Sequence, residues 1–298
     1  MPGQNIQQSV AELLGTSVFP IPLESCRIIR PYLLERAGIA SPATALFFAI
    51  PYLVAADVHA PERNLSLYAV PRDYHMYVRQ LSDEIIPVLR EKYPAYPFAV
   101  FSDHSPIAES DAAARAGLGV LGKNHMLITR EYGSFVFIAE VIVGADYQTV
   151  TGQRSDRIPD NPPSCPGCGA CLRACPAADA SGQACRECLS ALTQKKGTLT
   201  ASEQIALRQH ALIWGCDECQ LACPLNCVAL SGAYDTPIDF FLEDRMLFLT
   251  AEGLDGMSEN DFEKRAFAWR GRDVLKRNLQ LHESMAQDTC KKAEDIEC

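Results

Sequence analysis

The sequence predicts an α+β fold in two parts, a mixed helix and strand domain followed by a cysteine-rich module. Three observations carry this. Apolar runs such as "ALFFAI", "PFAVF" and "SFVFIAEVIV" alternate with helix-period stretches through the first half. Thirteen cysteines occur, and ten of them lie between Cys165 and Cys227. Between these regions, "TGQRSDRIPDNPPS" is polar and proline-rich, as linkers are. The expected organisation is an α+β domain over 1–150, a linker over 151–164, a cysteine module over 165–235, a helical extension over 236–287 and a flexible tail over 288–298.

The elements follow in order. "VAELL" predicts a helix, and "CRIIRPYLLERAG" a second one stopped by Gly38. "ALFFAI" (Ala45–Ile50) is a buried strand stopped by Pro51. In "DYHMYVRQLSDEIIPVLREKY", Val78, Leu81, Ile85 and Leu89 recur at helical spacing, with Pro87 as a point for a kink. "PFAVF" is a strand ending at Phe101. In "SDHSPIAESDAAARAGLG", Ser105 fits a helix N-cap, Pro106 the first helical position and Gly117 the stop. "HMLIT" and "SFVFIAEVIV" flank "REYG", which predicts two strands joined by a tight turn. Beyond the cysteines, Ser258 caps a helix through "ENDFEKRAFAW", and "DVLKRNLQLHESM" predicts another.

Composition narrows the class. Of 298 residues, 48% are hydrophobic and 21% charged, as in an ordinary globular protein. No apolar run approaches the ~18 residues that span a bilayer. The N-terminus lacks the basic and apolar regions of a secretory signal, so a cytoplasmic protein with no membrane partner is expected. A net charge of −10 argues against a broad nucleic-acid surface but leaves room for a local one. Lys264, Arg265, Arg270, Arg272, Lys276 and Arg277 surround Phe267 and Trp269, a pattern that fits either RNA contact or a solvated helix face.

The cysteine spacing is the most specific feature. Cys165, Cys168, Cys171 and Cys175 followed by Pro176 form C-x2-C-x2-C-x3-C-P. Cys216, Cys219 and Cys223 followed by Pro224 form the same pattern without its first cysteine, so a fourth thiolate must come from Cys188 or Cys185. Three closely spaced cysteines wrap one iron–sulfur cube, and the cysteine before proline serves the neighbouring cube. This yields two [4Fe–4S] clusters, one on Cys165, Cys168, Cys171 and Cys223, the other on Cys175, Cys216, Cys219 and Cys188 or Cys185. Zinc sites pair two knuckles and need neither a third close cysteine nor the C-P ending. Disulfides need an oxidising compartment. Cys26 reads as a small buried hydrophobe, and Cys290 and Cys298 as free thiols.

Clusters alone make an electron wire, so an acceptor is sought in the first domain. "GLGVLG", with Gly117, Gly119 and Gly122, matches G-x-G-x-x-G but follows a helix and leads into a strand, the reverse of a dinucleotide site. Its glycines fit either a plain connection or backbone approaching a flat cofactor. Asp103, past a strand and before a helix, fits either chemistry or satisfaction of backbone amides. Lys123, Asn124 and His125 fit either a cofactor-facing or a solvated strand entrance, and His75 is a helix-start histidine without a nearby second ligand.

Taken together, "RDYH", "SDHSP", "AGLGVLGKN", "GSFVFIAE", "CPGCGACLRACP", "CLSALT", "GCDECQLACPLN" and "MSENDFEKRAF…RNL" resemble the epoxyqueuosine reductases over roughly residues 45–280. The resemblance implies an N-terminal cobalamin-binding domain of the nitroreductase and reductive-dehalogenase type and a ferredoxin-like double [4Fe–4S] module. In such enzymes, electrons from an external donor of flavodoxin or ferredoxin type reach cobalamin, which removes the epoxide oxygen of epoxyqueuosine in tRNA. The family's proton-donating aspartate matches Asp103 in "FSDHSP", where a carboxyl buried against a corrin would keep its proton near neutrality. "CLSALT" matches the family's lone-cysteine segment and favours Cys188. Family likeness also puts His75, Gly117, Gly119, Gly122, Lys123, Asn124, Leu127 and Gln220 near the cofactor. The chain departs from the family in lacking its "YHGEMDYM"-like segment, in "CPLN" for "CPWN" and in "ALT" for "YLT". It also stops soon after "KRNLQL", where longer members continue into a helical-repeat domain that helps hold tRNA. The alternative is a short paralogue working as an electron carrier or corrinoid-reducing protein.

Overall fold

Thr44–Pro51 is the backbone of the first half: eight residues, nearly all buried, so both faces of the strand must be covered. In the computed structural model, which describes residues 4–155, 158–178 and 188–294 with side chains to 283, this strand is β2. The sheet partners are β1 (Phe19–Pro22), β3 (Phe98–Phe101) and β6 (Val136–Val143), in the order β1-β2-β6-β3 and antiparallel throughout. A second, two-stranded sheet pairs β4 (Val120–Leu121) with β5 (Leu127–Ile128).

The helices of this half are α1 (Ile6–Leu14), α2 (Pro31–Arg36), α3 (Tyr74–Lys92), α4 (Glu109–Ala116) and α5 (Tyr147–Thr151). Helix α4 lies against β1, β2 and β6, its Ala112, Ala113 and Ala114 packed with Ile21, Phe47, Ile107 and Ile142. Three alanines let the helix approach the sheet closely. Helix α3 runs through Pro87 and buries Val78, Ile85, Ile86 and Leu89.

Several expectations change. The helix expected from Cys26 begins only at Pro31, which fits the first turn because it needs no N–H there; Ile28 instead bridges Ile107. Ser105 is not the α4 cap. The helix starts at Glu109, and the Ser105 hydroxyl donates to Glu140. The strands flanking "REYG" do not pair with each other beyond a Thr129–Gly133 bridge. Strand β6 is apolar enough to sit between β2 and β3, and β5 turns back on β4. The proposed linker docks on this half through Leu121 N–H to Pro163 O (2.7 Å) and Arg115 Nε to Pro159 O (2.7 Å).

The chain divides into two compact units, Met1–Pro51 with Tyr74–Cys168, and Tyr52–Asp73 with Gly169–Cys298. The second therefore takes a segment that the sequence reading placed in the first domain. The cause is a core in which Leu65 and Ala69 pack with Ile213, Trp214, Phe262, Phe267 and Leu275. Ser66 N–H donates to Trp214 O (2.8 Å), and Ile213 N–H to Asn64 O (2.8 Å). The helices of this unit are α6 (Ala170–Arg173), α7 (Leu189–Thr193), α8 (Ala201–Arg208), α9 (Glu218–Leu221), α10 (Cys227–Leu230), α11 (Asp239–Leu242), α12 (Ala251–Gly256), α13 (Glu259–Glu263) and α14 (Arg272–Glu294). Ser258 caps α13 by accepting from Asp261 N–H (3.1 Å). Helix α14 continues into the expected tail, whose Ala, Gln, Lys and Glu are good helix formers.

Candidate active site and cluster loops

In the first unit, Asp103 lies in the loop that leaves β3. Its φ is +62°, a left-handed conformation that non-glycine residues adopt at a cost. The conformation is held by Asp103 N–H donating to Glu109 Oε1 at 2.9 Å. The side chain is 71% exposed, and His75 Nε2 stands 3.9 Å from Oδ2. The expectation of a buried carboxyl is thus corrected: the chain's own first unit leaves Asp103 open, so any desolvation must come from what binds over it. His75 is the second residue of α3, beside Tyr74 at a ring distance of 4.1 Å, while Tyr74 stacks on Phe137.

Behind this loop lies an acidic pair that the sequence reading missed. Glu140 on β6 is fully buried, and its Oε1 accepts from Ser105 Oγ at 2.5 Å. Burial pushes its carboxyl well above the usual range, and the neighbouring Glu109 adds to the effect. Burial likewise pushes Glu109 up to about 7, against the lowering bond from Asp103 N–H and the charge of Arg30. The signal was present in "SFVFIAEVIV", where one acid interrupts an apolar strand.

The "GLGVLGKN" segment forms the tail of α4 and the β4–β5 hairpin. Gly117 caps α4 with φ +97°. A Cβ on Gly119 would stand 2.4 Å from Ile128 O, and one on Gly122 would stand 2.3 Å from Asn124 Oδ1. The hairpin's own closeness therefore explains both glycines. Leu127 is buried in the core of this unit with α4. Lys123 and Asn124 remain at the turn. Among the described residues the buried Nδ2 of Asn124 has no hydrogen-bond partner. Leu121 O accepts from Cys165 N–H at 3.0 Å, and a Cβ on Gly167 would stand 3.3 Å from Lys123 Cε. Lys123 thus lies along the loop that carries Cys165 and Cys168.

In the second unit, α6 and α9 pack against each other. Each carries a cysteine, Cys171 and Cys219, and each is followed by a Cys-Pro step. Burial, helped by the charges of Asp217, Cys188 and Cys219, pushes the Cys216 thiol up to about 12 against the lowering hydrogen bond from Glu218 N–H. Three cysteines expected to serve one cluster, Cys188, Cys216 and Cys219, are thus electrostatic neighbours. Among the described residues no three of His, Cys, Asp or Glu converge on a single ion. Cys185, Cys290 and Cys298 fall outside the described side chains. Cys26 is buried, as expected.

The loop between Cys216 and Cys219 is braced by Asp217, which is 2% exposed. Its Oδ2 accepts from Arg63 Nη1 (2.6 Å) and Leu67 N–H (3.0 Å), and its Oδ1 from Ser66 Oγ (2.5 Å). Gly215, with φ +75°, lets Ser66 approach, since a Cβ would stand 2.3 Å from Ser66 Cβ. Gln220 is buried, with its Oε1 3.5 Å from Tyr52 OH, so it braces this unit's interior. Asp217→Ala leaves the buried Arg63 guanidinium unpaired. We expect a loss of about 3–5 kcal/mol, read as a lower denaturant midpoint.

The basic stretch is largely committed to structure. Arg265, 5% exposed, bonds Asp244 Oδ1 (2.5 Å) and O (2.6 Å). Arg272 reaches Leu254 O, Arg277 reaches Lys195 O and Gly197 O, and Lys276 pairs with Asp255. Arg270 stacks on Trp269, which is 59% exposed. The helix-surface reading therefore accounts for this stretch better than an RNA-binding array.

Residues 164–226 match the 4Fe-4S double cluster binding domain. An epoxyqueuosine reductase of Gloeobacter violaceus is 34% identical over 221 residues, covering 72% of this chain and 67% of that protein. The chain belongs to the epoxyqueuosine reductase family. These are oxidoreductases that use two [4Fe–4S] clusters and cobalamin. The Francisella cf. novicida epoxyqueuosine reductase is 34% identical over 210 residues, 67% of this chain but 54% of its own length. The chain thus spans about half to two thirds of its curated relatives. Among solved structures, the epoxyqueuosine reductase of Streptococcus thermophilus aligns with a TM-score of 0.65 at 20% identity, over 92% of this chain and 79% of that one. An epoxyqueuosine reductase with an epoxyqueuosine-modified tRNA-Tyr stem loop aligns at 0.64 and 23% identity, over 93% and 81%. The Bacillus subtilis enzyme, with its aspartate catalytic loop swung out of the active site, aligns at 0.63 and 24% identity, over 93% and 82%. These likenesses establish the α+β fold with its cluster module. Among the described residues no helix is long and apolar enough to cross a membrane.

Proposed function

We propose that the chain is a reductase that removes the epoxide oxygen of epoxyqueuosine in tRNA, with Asp103 as proton donor. The observation that carries this reading is Asp103 itself: an exposed carboxyl, held left-handed at a strand end, with His75 beside it. Support comes from two relatives, one solved with a modified tRNA stem loop and one whose catalytic loop carries an aspartate.

The overall change needs two electrons and two protons, and yields an alkene and water. Cobalamin, when bound, would supply the electrons. The fit of this chain to a corrin rests on Asn124, whose buried unpartnered Nδ2 would find an acceptor in a corrin amide carbonyl. Lys123 and Asn124 would hold the group from the hairpin turn. Asp103 gives its proton to the departing oxygen, and His75 orients or recharges the carboxyl. Cluster ligands are Cys165, Cys168, Cys171 and Cys223 for one cube, and Cys175, Cys188, Cys216 and Cys219 for the other. Cys188 also lines an open cleft with Lys195, Lys196 and Arg270, a cationic approach that suits an acidic donor of flavodoxin or ferredoxin type.

The test is direct. Anaerobically reconstituted protein is mixed with cobalamin, and the visible spectrum is expected to shift on binding. Epoxyqueuosine-containing tRNA is then expected to be converted to queuosine. Absence of cobalamin binding overturns the reading, and binding without conversion transfers the chain to another substrate.

A further inference from the structure

We propose that Glu109 and Glu140 form a carboxyl latch that holds the Asp103 loop in place, with one proton shared between them setting how firmly it is held. Its bearing on catalysis rests on Asp103 being the proton donor, but the latch itself does not.

The geometry begins at the sheet. Glu140 lies on β6, flanked in register by Phe47 of β2 and Phe101 of β3. It is fully buried, and no cation is paired with it among the described residues. Ser105 Oγ donates to its Oε1, and Ile107 N–H donates to Ser105 Oγ at 3.1 Å. Arg30 Nη1 donates to Ser105 O at 3.0 Å. The C-terminal end of the loop is therefore anchored in the sheet. Its other end is anchored at Ser102, whose hydroxyl donates to Ile138 O at 2.6 Å. Between these anchors Asp103 is tethered by its N–H bond to Glu109, with His75 3.9 Å from its carboxylate.

The second oxygen of Glu140, Oε2, is buried and meets no donor among the described residues. Glu109 is the neighbouring carboxyl, and two carboxylates can only repel. One proton between them changes this, because a neutral Glu140 can donate to an ionised Glu109. The burial of Glu140 assigns the proton to it, and the Glu109 side keeps the charge. A charged acceptor makes the Asp103 N–H bond the stronger kind. Without it, a left-handed aspartate relaxes toward negative φ and its side chain turns away. Glu109 takes up its own proton as pH falls through about 7, so the latch loosens on the acid side. The charged groups that act on Glu109 are Asp103, Glu140 and Arg30, and His75 faces Asp103 from α3.

Hydrogen–deuterium exchange of residues 102–105 in the reconstituted protein tests this, with rates corrected for the intrinsic pH dependence of exchange. The Asp103 amide is expected to be several-fold better protected at pH 8 than at pH 6. Glu109→Gln keeps an acceptor oxygen but no charge, and is expected to lower protection about tenfold at pH 8 and abolish the pH dependence. Glu140→Gln keeps the acceptor for Ser105 and puts an amide N–H donor in place of the shared proton, so the pH dependence is expected to stay near pH 7. Wild-type protection that does not vary with pH, or a Glu109→Gln protein that behaves as wild type, overturns the latch. The pH–rate profile of tRNA turnover is expected to lose its acid limb near pH 7 in Glu109→Gln. If Asp103→Asn turns over at the wild-type rate, the catalytic reading fails, while the exchange result still decides the latch.

Discussion

Asp103→Asn is expected to lower turnover of epoxyqueuosine-containing tRNA by about 100- to 10,000-fold, the range for removing a general acid. The variant isolates the proton. Asparagine has nearly the same shape and keeps the backbone N–H that donates to Glu109, so the loop keeps its principal tether. It also tolerates the left-handed conformation better than most residues. Asp103 is exposed, so no buried charge is left unpaired and the fold is not expected to suffer. The visible spectra of the clusters and of bound cobalamin should stay as in wild type. Full turnover by the variant would move the proton source elsewhere, with His75, 3.9 Å from the carboxylate, and Glu109 as the neighbouring titratable groups.

How much of this was legible in the sequence depends on whether the cause was local. "ALFFAI", "PFAVF" and "SFVFIAEVIV" became strands because their apolar runs cannot be solvated, and Gly117 became a cap because its φ demands it. Pairing was not legible. Nothing in "HMLIT" says that it turns back on Val120–Leu121 while its neighbour enters the central sheet. That outcome is decided by which strand can be buried on both faces. The unit boundary failed for the same reason, since Leu65 and Ala69 join the second unit through contacts with residues about 150 positions away.

The site divides likewise. Cysteine spacing is a local code, and the matched double-cluster domain covers the span that the spacing marked. The role proposed for Asp103 rests on its motif, and its exposure was not legible there, because burial is a property of what surrounds a loop. Leu127 and Gln220 were placed near the cofactor by likeness alone, yet both side chains are spent on internal packing. Glu109 and Glu140 stand thirty-one positions apart, and only the register of β6 beside β3 brings the second behind the loop that the first tethers. A charged residue inside an apolar strand is the one cue that could have flagged them.

The cluster module yields the other large effect. Cys188→Ala is expected to reduce bound iron from about eight to about four atoms per chain, whereas Cys185→Ala keeps about eight. Cys188 immediately precedes α7 and acts electrostatically on Cys216, as does Cys219. Replacing any one of these leaves a cube with three thiolates and an iron open to solvent, which is the first step in losing it. The half-buried Cys216 resists carrying its charge alone, because burial already opposes its ionisation. Cys216→Ala should therefore lose iron as readily as Cys188→Ala, while Cys227→Ala, an exposed residue at the start of α10, should lose none. Iron analysis and the low-temperature electron paramagnetic resonance of the dithionite-reduced protein read the two cubes separately. A Cys185→Ala protein that lost half its iron while Cys188→Ala kept all of it would transfer the fourth ligand to Cys185. The cationic cleft lined by Cys188, Lys195, Lys196 and Arg270 would then lie beside a free thiol, and the electron entry proposed there would have no cluster at its floor.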